Sequence, residues 1–197
     1  MTQHIDPPRA HRDFSPRFDE ALVYAHQLHA SQTRKGTTIP YVGHLLAVTA
    51  IVIENGGTED EAIAALLHDA VEDAGGADTR EDIRRRFGEN VAGIVDGLTD
   101  TDQTPKPPWR KRKEDYLAHL SHAAPSVLLV SLADKIHNAQ SILRDVRNEG
   151  ESVWQRFTGG RDGSLWYYRS LVEAFRARGQ FTSMVDELDC TVTELEH

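Results

Sequence analysis

The chain has 197 residues, of which 39% are hydrophobic and 27% charged, with a formal net charge of −9 and a single cysteine, Cys190. That length suits one domain able to bury about 70% of its unfolded surface, and the composition is that of a water-soluble globular protein. The acidic balance argues against general nucleic-acid binding, which normally needs a basic footprint. No apolar run reaches the roughly 18 residues that a membrane span requires. One cysteine excludes an intramolecular disulfide framework and fits a reducing, cytoplasmic setting.

Residues 1–16 lack the apolar stretch of a secretory signal and read as a flexible lead-in. The hydrophobic period that follows is helical. Phe18, Leu22, Ala25 and Leu28 recur at three- and four-residue steps, and the pattern stops in the loop RKGTTIPY, broken by Gly36 and Pro40. A second helix is expected from about Val42 to Glu54, ended by Asn55-Gly56-Gly57. Thr58 with Glu61 forms a capping box that opens a third helix through Ala62, Leu66 and Val71.

Gly75-Gly76 close that helix, Thr79 with Asp82 starts another to Phe87, and Gly88 separates it from ENVAGIVDGLT. The segment from Thr99 to Trp109 is polar and proline-rich and predicts a loop. A helix through Tyr116 and Leu120 follows. Pro125 stands at the first turn of the next, SVLLVSLADKIHNAQSIL, the most apolar run and the expected centre of the core. Helices around Val153 and from Ser164 to Arg178 complete a single domain over 17–179, and 180–197 read as an acidic tail, a short helix or a disordered end. No strand pair stands out, so the fold class is all-α. No helix face is left plainly unsatisfied, and the sequence names no oligomeric state.

Chemistry concentrates in a few places. His68 and Asp69 interrupt an apolar helix face, where burying both is costly without partners. A divalent cation is one such partner, since it takes imidazole nitrogen and carboxylate oxygen together. Glu72 and Asp73 follow four residues after His68 and Asp69, which helical geometry brings to one rim. His44 opens an otherwise apolar helix, and Asp134 breaks the most buried one, with Asn138 a turn later. Each alone is weak, because a lone helix histidine is usually a plain structural residue. Together they form a mixed N/O set from three helices, suited to a transition metal with open positions.

Positive charge is also uneven. Arg34-Lys35 form a pair, and KPPWRKRK runs from Lys106 to Lys113. Such clusters on an acidic chain suit a small phosphorylated ligand, although a solvated helix start explains Arg110 to Lys113 equally well.

The motifs RKGTTIPYVGH, AALLHDAVED, FGENVAGIVDGLT and SLADKIHN resemble those of the HD superfamily of metal-dependent phosphohydrolases, and more narrowly the hydrolase domain of RelA/SpoT-type proteins and small alarmone hydrolases. The resemblance spans roughly Phe18 to Phe175. It implies an all-α HD helical bundle in which His44, His68, Asp69 and Asp134 ligate a Mn²⁺-like ion. It also implies hydrolysis of the 3′-pyrophosphate of guanosine tetra- or pentaphosphate, with Glu72 and Asp73 as catalytic carboxylates that orient or deprotonate the water. Arg34, Lys35 and Asn138 match substrate-lining positions of that family.

Lys111 and Arg112 are further candidates for holding phosphate. Tyr168 (or its neighbours Trp166 and Tyr167) is a candidate for stacking on the base, against a plain packing role. Two departures stand out: Leu45 where the family usually has proline, and Ala139-Gln140-Ser141 where its long members carry Met-Arg-Thr. The base preference, guanosine or adenosine, is therefore left open. An HD nucleotide phosphatase such as a 5′-nucleotidase and a non-catalytic nucleotide-binding module are the competing readings.

Overall fold

The computed structural model describes residues 13–99, 105 and 107–197. Most of the helices expected from the amino-acid pattern are present, and they follow in the same order. Helix α1 (Pro16–Leu28) starts two residues earlier than its apolar period, because Ser15 caps it and Pro16 occupies the first turn. The Ser15 hydroxyl and amide both donate to Glu59, which ties this cap to the following capping box. Lead-in residues 1–12 lie outside the described residues.

Helix α2 (Val42–Glu54) and helix α3 (Glu59–Leu67) follow, the latter opened by the reciprocal Thr58–Glu61 capping box. The expected single helix through Val71 is in fact broken. The chain turns at His68-Asp69 and resumes as the short α4 (Ala70–Asp73). Helix α5 (Gly76–Leu98) begins earlier than expected and bends at Gly88, whose φ of 90° only glycine adopts without strain. The Thr79 hydroxyl donates back to the Ala74 carbonyl and does not cap a new helix. Of the expected loop up to Trp109, residues 100–104 and 106 lie outside the described residues.

Helix α6 (Trp109–Leu120), helix α7 (Pro125–Glu149), a 3₁₀ segment (Gly150–Arg156) and helix α8 (Gly160–Arg178) complete the part that the sequence pattern delimits. Helix α7 is the axis of the core. Val127 through Asp134 are buried without interruption, and α2, α3, α5 and α8 all pack against it. Of the two alternatives for residues 180–197, a short helix or a disordered end, the structure has the helix. These residues form α9 (Thr182–Glu196), which buries Met184, Val185, Leu188, Val192 and Leu195 against α7 and α8. Its acidic residues lie on the opposite face, which is why composition alone reads as a tail.

Among the described residues there is no strand, only one isolated antiparallel bridge between Thr33 and Pro40 at the neck of the RKG loop. No described helix is long and apolar enough to cross a membrane.

Candidate metal centre and nucleotide cleft

The helix break at His68-Asp69 places both side chains at the mouth of the core. His68 is 4% exposed, and its Nδ1 donates to the Ala65 carbonyl at 2.8 Å. In the neutral ring that bond keeps the proton on Nδ1 and leaves a lone pair on Nε2. His44, 2% exposed, comes from the first turn of α2, and Asp134, 7% exposed, from the middle of α7.

Their polar atoms converge. His68 Nε2 lies 2.9 Å from Asp69 Oδ2 and 3.6 Å from Asp134 Oδ1. His44 Nε2 lies 3.2 Å from the same Asp134 oxygen and 3.8 Å from the same Asp69 oxygen. His44, His68 and Asp134 offer ligand atoms all within 4.8 Å of one another.

Despite these distances, neither buried Nε2 has a hydrogen-bond partner among the described residues. Buried, unpartnered ring nitrogens facing two carboxylates are costly as they stand. A proton could bridge one nitrogen–oxygen pair at a time, whereas a divalent cation satisfies all four groups at once. The donor set, two imidazoles and two carboxylates, fits such an ion.

The local electrostatics carry the same imprint. Burial lowers the His44 pKa although Asp134 opposes it. At His68 burial also disfavours the charged ring, but the Asp69 and Asp134 carboxylates prevail and hold its pKa well above the ordinary histidine value. Burial would raise Asp134, yet Lys135, His44 and His68 keep it well below the usual carboxylate range. Asp69 is likewise lowered, chiefly by His68 working against its own burial.

Surrounding side chains hold these four side chains in place. The Tyr41 hydroxyl donates to Asp69 Oδ2, Asn138 Nδ2 donates to Asp134 Oδ1, and Lys135 Nζ sits 2.6 Å from Asp134 Oδ2. His29, 2% exposed, stacks on the Tyr41 ring with centroids 5.3 Å apart. Its Nδ1 lies 2.6 Å from Gln32 Oε1, and Gln32 Nε2 donates to Asp73 Oδ2 at 2.8 Å.

Glu72 and Asp73 therefore do not share one rim. Glu72 lines a cavity of about 210 Å³ together with His68, Asp69, Asp134, Arg112 and Lys113. Asp73 is exposed beside it, held by Gln32, and does not line that cavity. Successive helical residues point roughly 100° apart, and within α4 that offset turns Asp73 away toward Gln32.

A larger cavity of about 470 Å³ adjoins the first, and the two share Arg34, Tyr41, Lys113, Lys135, Asn138 and Tyr167. Its walls include Lys35, Ser141, Arg144, Arg156 and Tyr168, so the cleft is cationic although the chain is acidic. Arg34 reaches across it and donates to Asn138 Oδ1 at 2.6 Å. The RKG loop folds back through Arg34 N–H to the Ile39 carbonyl. At Gly36, φ is +72° and a Cβ would stand 2.8 Å from Arg156 Cδ, so this glycine lets the Arg156 side chain lie against the loop.

Among the expected substrate residues, Arg34, Lys35, Asn138, Arg112 and Tyr168 all line the cleft. Lys111 does not. Trp109, Arg112, Lys113 and Tyr116 form the inward face of α6, whereas Lys111 is 63% exposed on the outer face and pairs with Asp115 one turn on. Trp166 packs on Trp109 under the Arg110 guanidinium, while Tyr167 and Tyr168 face the cavity. Of the divergent Ala139-Gln140-Ser141 segment only Ser141 reaches the cavity. Ala139 is core, and Gln140 bonds Glu187 on α9.

A family model described as HD domain matches residues 21–165. The chain belongs to the HD-domain family. Within that family this HD domain is similar to the guanosine-3′,5′-bis(diphosphate) 3′-pyrophosphohydrolase MESH1 of Xenopus tropicalis, 39% identical over 128 residues that cover 64% of this chain and 69% of the relative. The Drosophila melanogaster MESH1 is 34% identical over 143 residues, covering 71% and 75%. A solved structure described as a metazoan ortholog of SpoT that hydrolyzes ppGpp superposes with a TM-score of 0.76 at 29% identity, over 92% of this chain and 96% of the other. The HD domain here is thus RelA/SpoT hydrolase-like in fold as well as in motif.

Sequence reasoning did not single out several residues that the fold brings to this site, among them His29, Gln32, Tyr41, Lys113, Lys135 and His137. Lys113 was within reach, since it stands four residues from Trp109 on the same helical face. His137 stood between Ile136 and Asn138 with no period to separate it from the scattered histidines. Its Nδ1 lies 2.7 Å from His44 Nδ1, and burial, then the charges of His44 and Arg34, lower its pKa to about 4.

Proposed function

We propose that this chain is a metal-dependent 3′-pyrophosphohydrolase of guanosine tetra- and pentaphosphate, or of a closely related alarmone, releasing pyrophosphate and leaving the nucleoside di- or triphosphate. One observation carries the reading: two buried imidazole nitrogens, without hydrogen-bond partners among the described residues, face two carboxylates at the end of a cation-lined cleft. The names of the relatives supply the substrate class.

His44, His68, Asp69 and Asp134 hold the cation, for which Mn²⁺ suits the mixed nitrogen and oxygen donors. When bound, the ion lowers the pKa of water and polarises the phosphoryl group. Glu72, on the cavity wall beside the cluster, accepts the proton of the attacking water and passes it to the departing ribose 3′-oxygen. Asp73 is held by Gln32 beside that step and supports its orientation.

Lys113, Arg112 and Lys35 neutralise phosphate charge along the cleft, and Arg34, braced on Asn138, presents a flat guanidinium to the nucleotide. Tyr168 offers a ring to the base end. A cytoplasmic setting suits such a substrate and fits the single cysteine.

The test is a product assay with Mn²⁺ on guanosine and adenosine tetraphosphates and a panel of nucleoside monophosphates. Pyrophosphate release from a tetraphosphate is expected. Orthophosphate release from monophosphates alone would replace this reading with that of a 5′-nucleotidase.

A further inference from the structure

We propose that His137 couples the metal centre to the nucleotide cleft, accepting a hydrogen bond from His44 at Nδ1 and presenting its Nε2–H to the bound nucleotide. The inference rests on reading the His44 cluster as a cation site.

The His44 Nδ1 to His137 Nδ1 separation is 2.7 Å, so one proton lies between two nitrogens of the same kind. Two lone pairs or two N–H groups facing each other at that distance would repel, so one ring donates and the other accepts. A cation on His44 Nε2 decides which, because a neutral imidazole with its lone pair on Nε2 carries its proton on Nδ1. His44 is then the donor. His137 accepts through Nδ1 and, having only one N–H, carries it on Nε2.

The two histidine ligands thus differ in what holds them. His68 is anchored to a backbone carbonyl, that of Ala65, and the chain of hydrogen bonds ends there. His44 is anchored to a second imidazole, and the chain of hydrogen bonds continues. The ring of His137 is half-buried and lines the 470 Å³ cavity with Arg34, Asn138 and Ser141. Its Nε2 has no hydrogen-bond partner among the described residues and is not among the sealed-in polar atoms. Loading the cation therefore sets a hydrogen-bond donor in the cleft, pointing at a ligand made almost wholly of acceptors: phosphate, ribose and carbonyl oxygens. By linkage, nucleotide that takes this bond strengthens the cation's hold by the same factor.

The wild-type protein, labelled with ¹⁵N-histidine and loaded with diamagnetic Zn²⁺, reports the tautomer directly in long-range ¹H–¹⁵N correlation spectra. His137 is expected to show N–H at Nε2 and a bare Nδ1; an N–H at Nδ1 would overturn the proposal. Two variants then separate the halves. His137→Asn puts an amide oxygen where Nδ1 stands, so Mn²⁺ affinity by calorimetry should stay within about threefold while GDP affinity of the loaded protein drops about fivefold or more. His137→Gln puts its amide where Nε2 stands, so GDP binding should be largely kept while Mn²⁺ affinity falls roughly 10- to 100-fold. Equal effects of both variants on both ligands would refute the coupling. If the wild type binds no divalent cation, the metal reading fails and this inference with it. If it binds the cation with the opposite tautomer at His137, this inference alone fails.

Discussion

Arg34 and Asn138, 104 residues apart in the chain, meet in a hydrogen bond of 2.6 Å from guanidinium to amide oxygen. The same amide donates from its nitrogen to Asp134 Oδ1, the oxygen that faces both histidine ligands. One side chain thus links the loop that lines the cleft to a carboxylate of the proposed metal centre. Asn138→Ala should raise KM and also weaken Mn²⁺ binding about tenfold, as loss of an outer partner does. Arg34→Ala should raise KM with metal affinity unchanged. Calorimetry with steady-state kinetics checks both, and an Asn138→Ala enzyme with wild-type Mn²⁺ affinity would show that the link carries no energy.

The two acidic residues nearest the cluster should fail differently. Asp69 Oδ2 lies 2.9 Å from His68 Nε2 and 3.8 Å from His44 Nε2, so Asp69→Ala should lose metal and activity together. Glu72 stands on the cavity wall next to the cluster. Glu72→Gln should keep the metal and lose on the order of 10²-fold in turnover, the usual cost of a missing general acid-base group. Metal content by elemental analysis beside kcat separates the two, and near wild-type turnover in loaded Glu72→Gln would remove its assigned role.

Why the sequence disclosed one part of this site and hid another follows from the range of the interactions. His68-Asp69 and Asp134 stood out because a polar residue inside an apolar helix face is anomalous at short range. The Gly88 bend and the Thr58–Glu61 box were also readable, being local backbone chemistry. The break after Leu67 was not, since no glycine or proline marks it and tertiary packing imposes it. On α6 the sequence picked out Arg112 but chose Lys111 in place of Lys113, for a different reason. Arg110 to Lys113 are all basic, and only the packing of Trp109 against Trp166 and Tyr167 fixes which of them turn inward. His137 acts through His44, 93 residues away, and composition has no means of marking such a pair.

Protons should compete with the cation in a predictable direction. Without metal, the Asp69 and Asp134 carboxylates hold the His68 pKa well above its ordinary value of 6.5. At pH 7 that ring is therefore protonated in the metal-free protein and must release its proton when Nε2 takes the ion. Affinity for Mn²⁺ should rise by about tenfold per pH unit while pH stays below the raised pKa and level off once pH passes it. Titrations at pH 7 in buffers of different ionisation enthalpy should show one proton released per ion, and a buffer-independent enthalpy would contradict the assignment.

The acidic C-terminal segment supplies the last prediction, because two kinds of contact hold α9 and they differ in weight. On its inner face Leu188 is fully buried, with Val185 and Val192 a turn to either side. On its outer face Arg169 of α8 spans Asp189 and Glu196 in ion pairs that are about a third exposed. Removing buried methyl groups leaves a cavity, and Leu188→Ala should cost about 2–5 kcal/mol. Exposed pairs offset most of their Coulomb attraction by desolvation and side-chain ordering, so Arg169→Ala should cost about 1 kcal/mol or less. Urea unfolding of both variants gives the comparison. Leu188 lines none of the cavities of the cleft, so kcat of the folded Leu188→Ala enzyme should match wild type. A Leu188→Ala midpoint equal to wild type would mean that α9 is undocked in solution and that the core ends with α8.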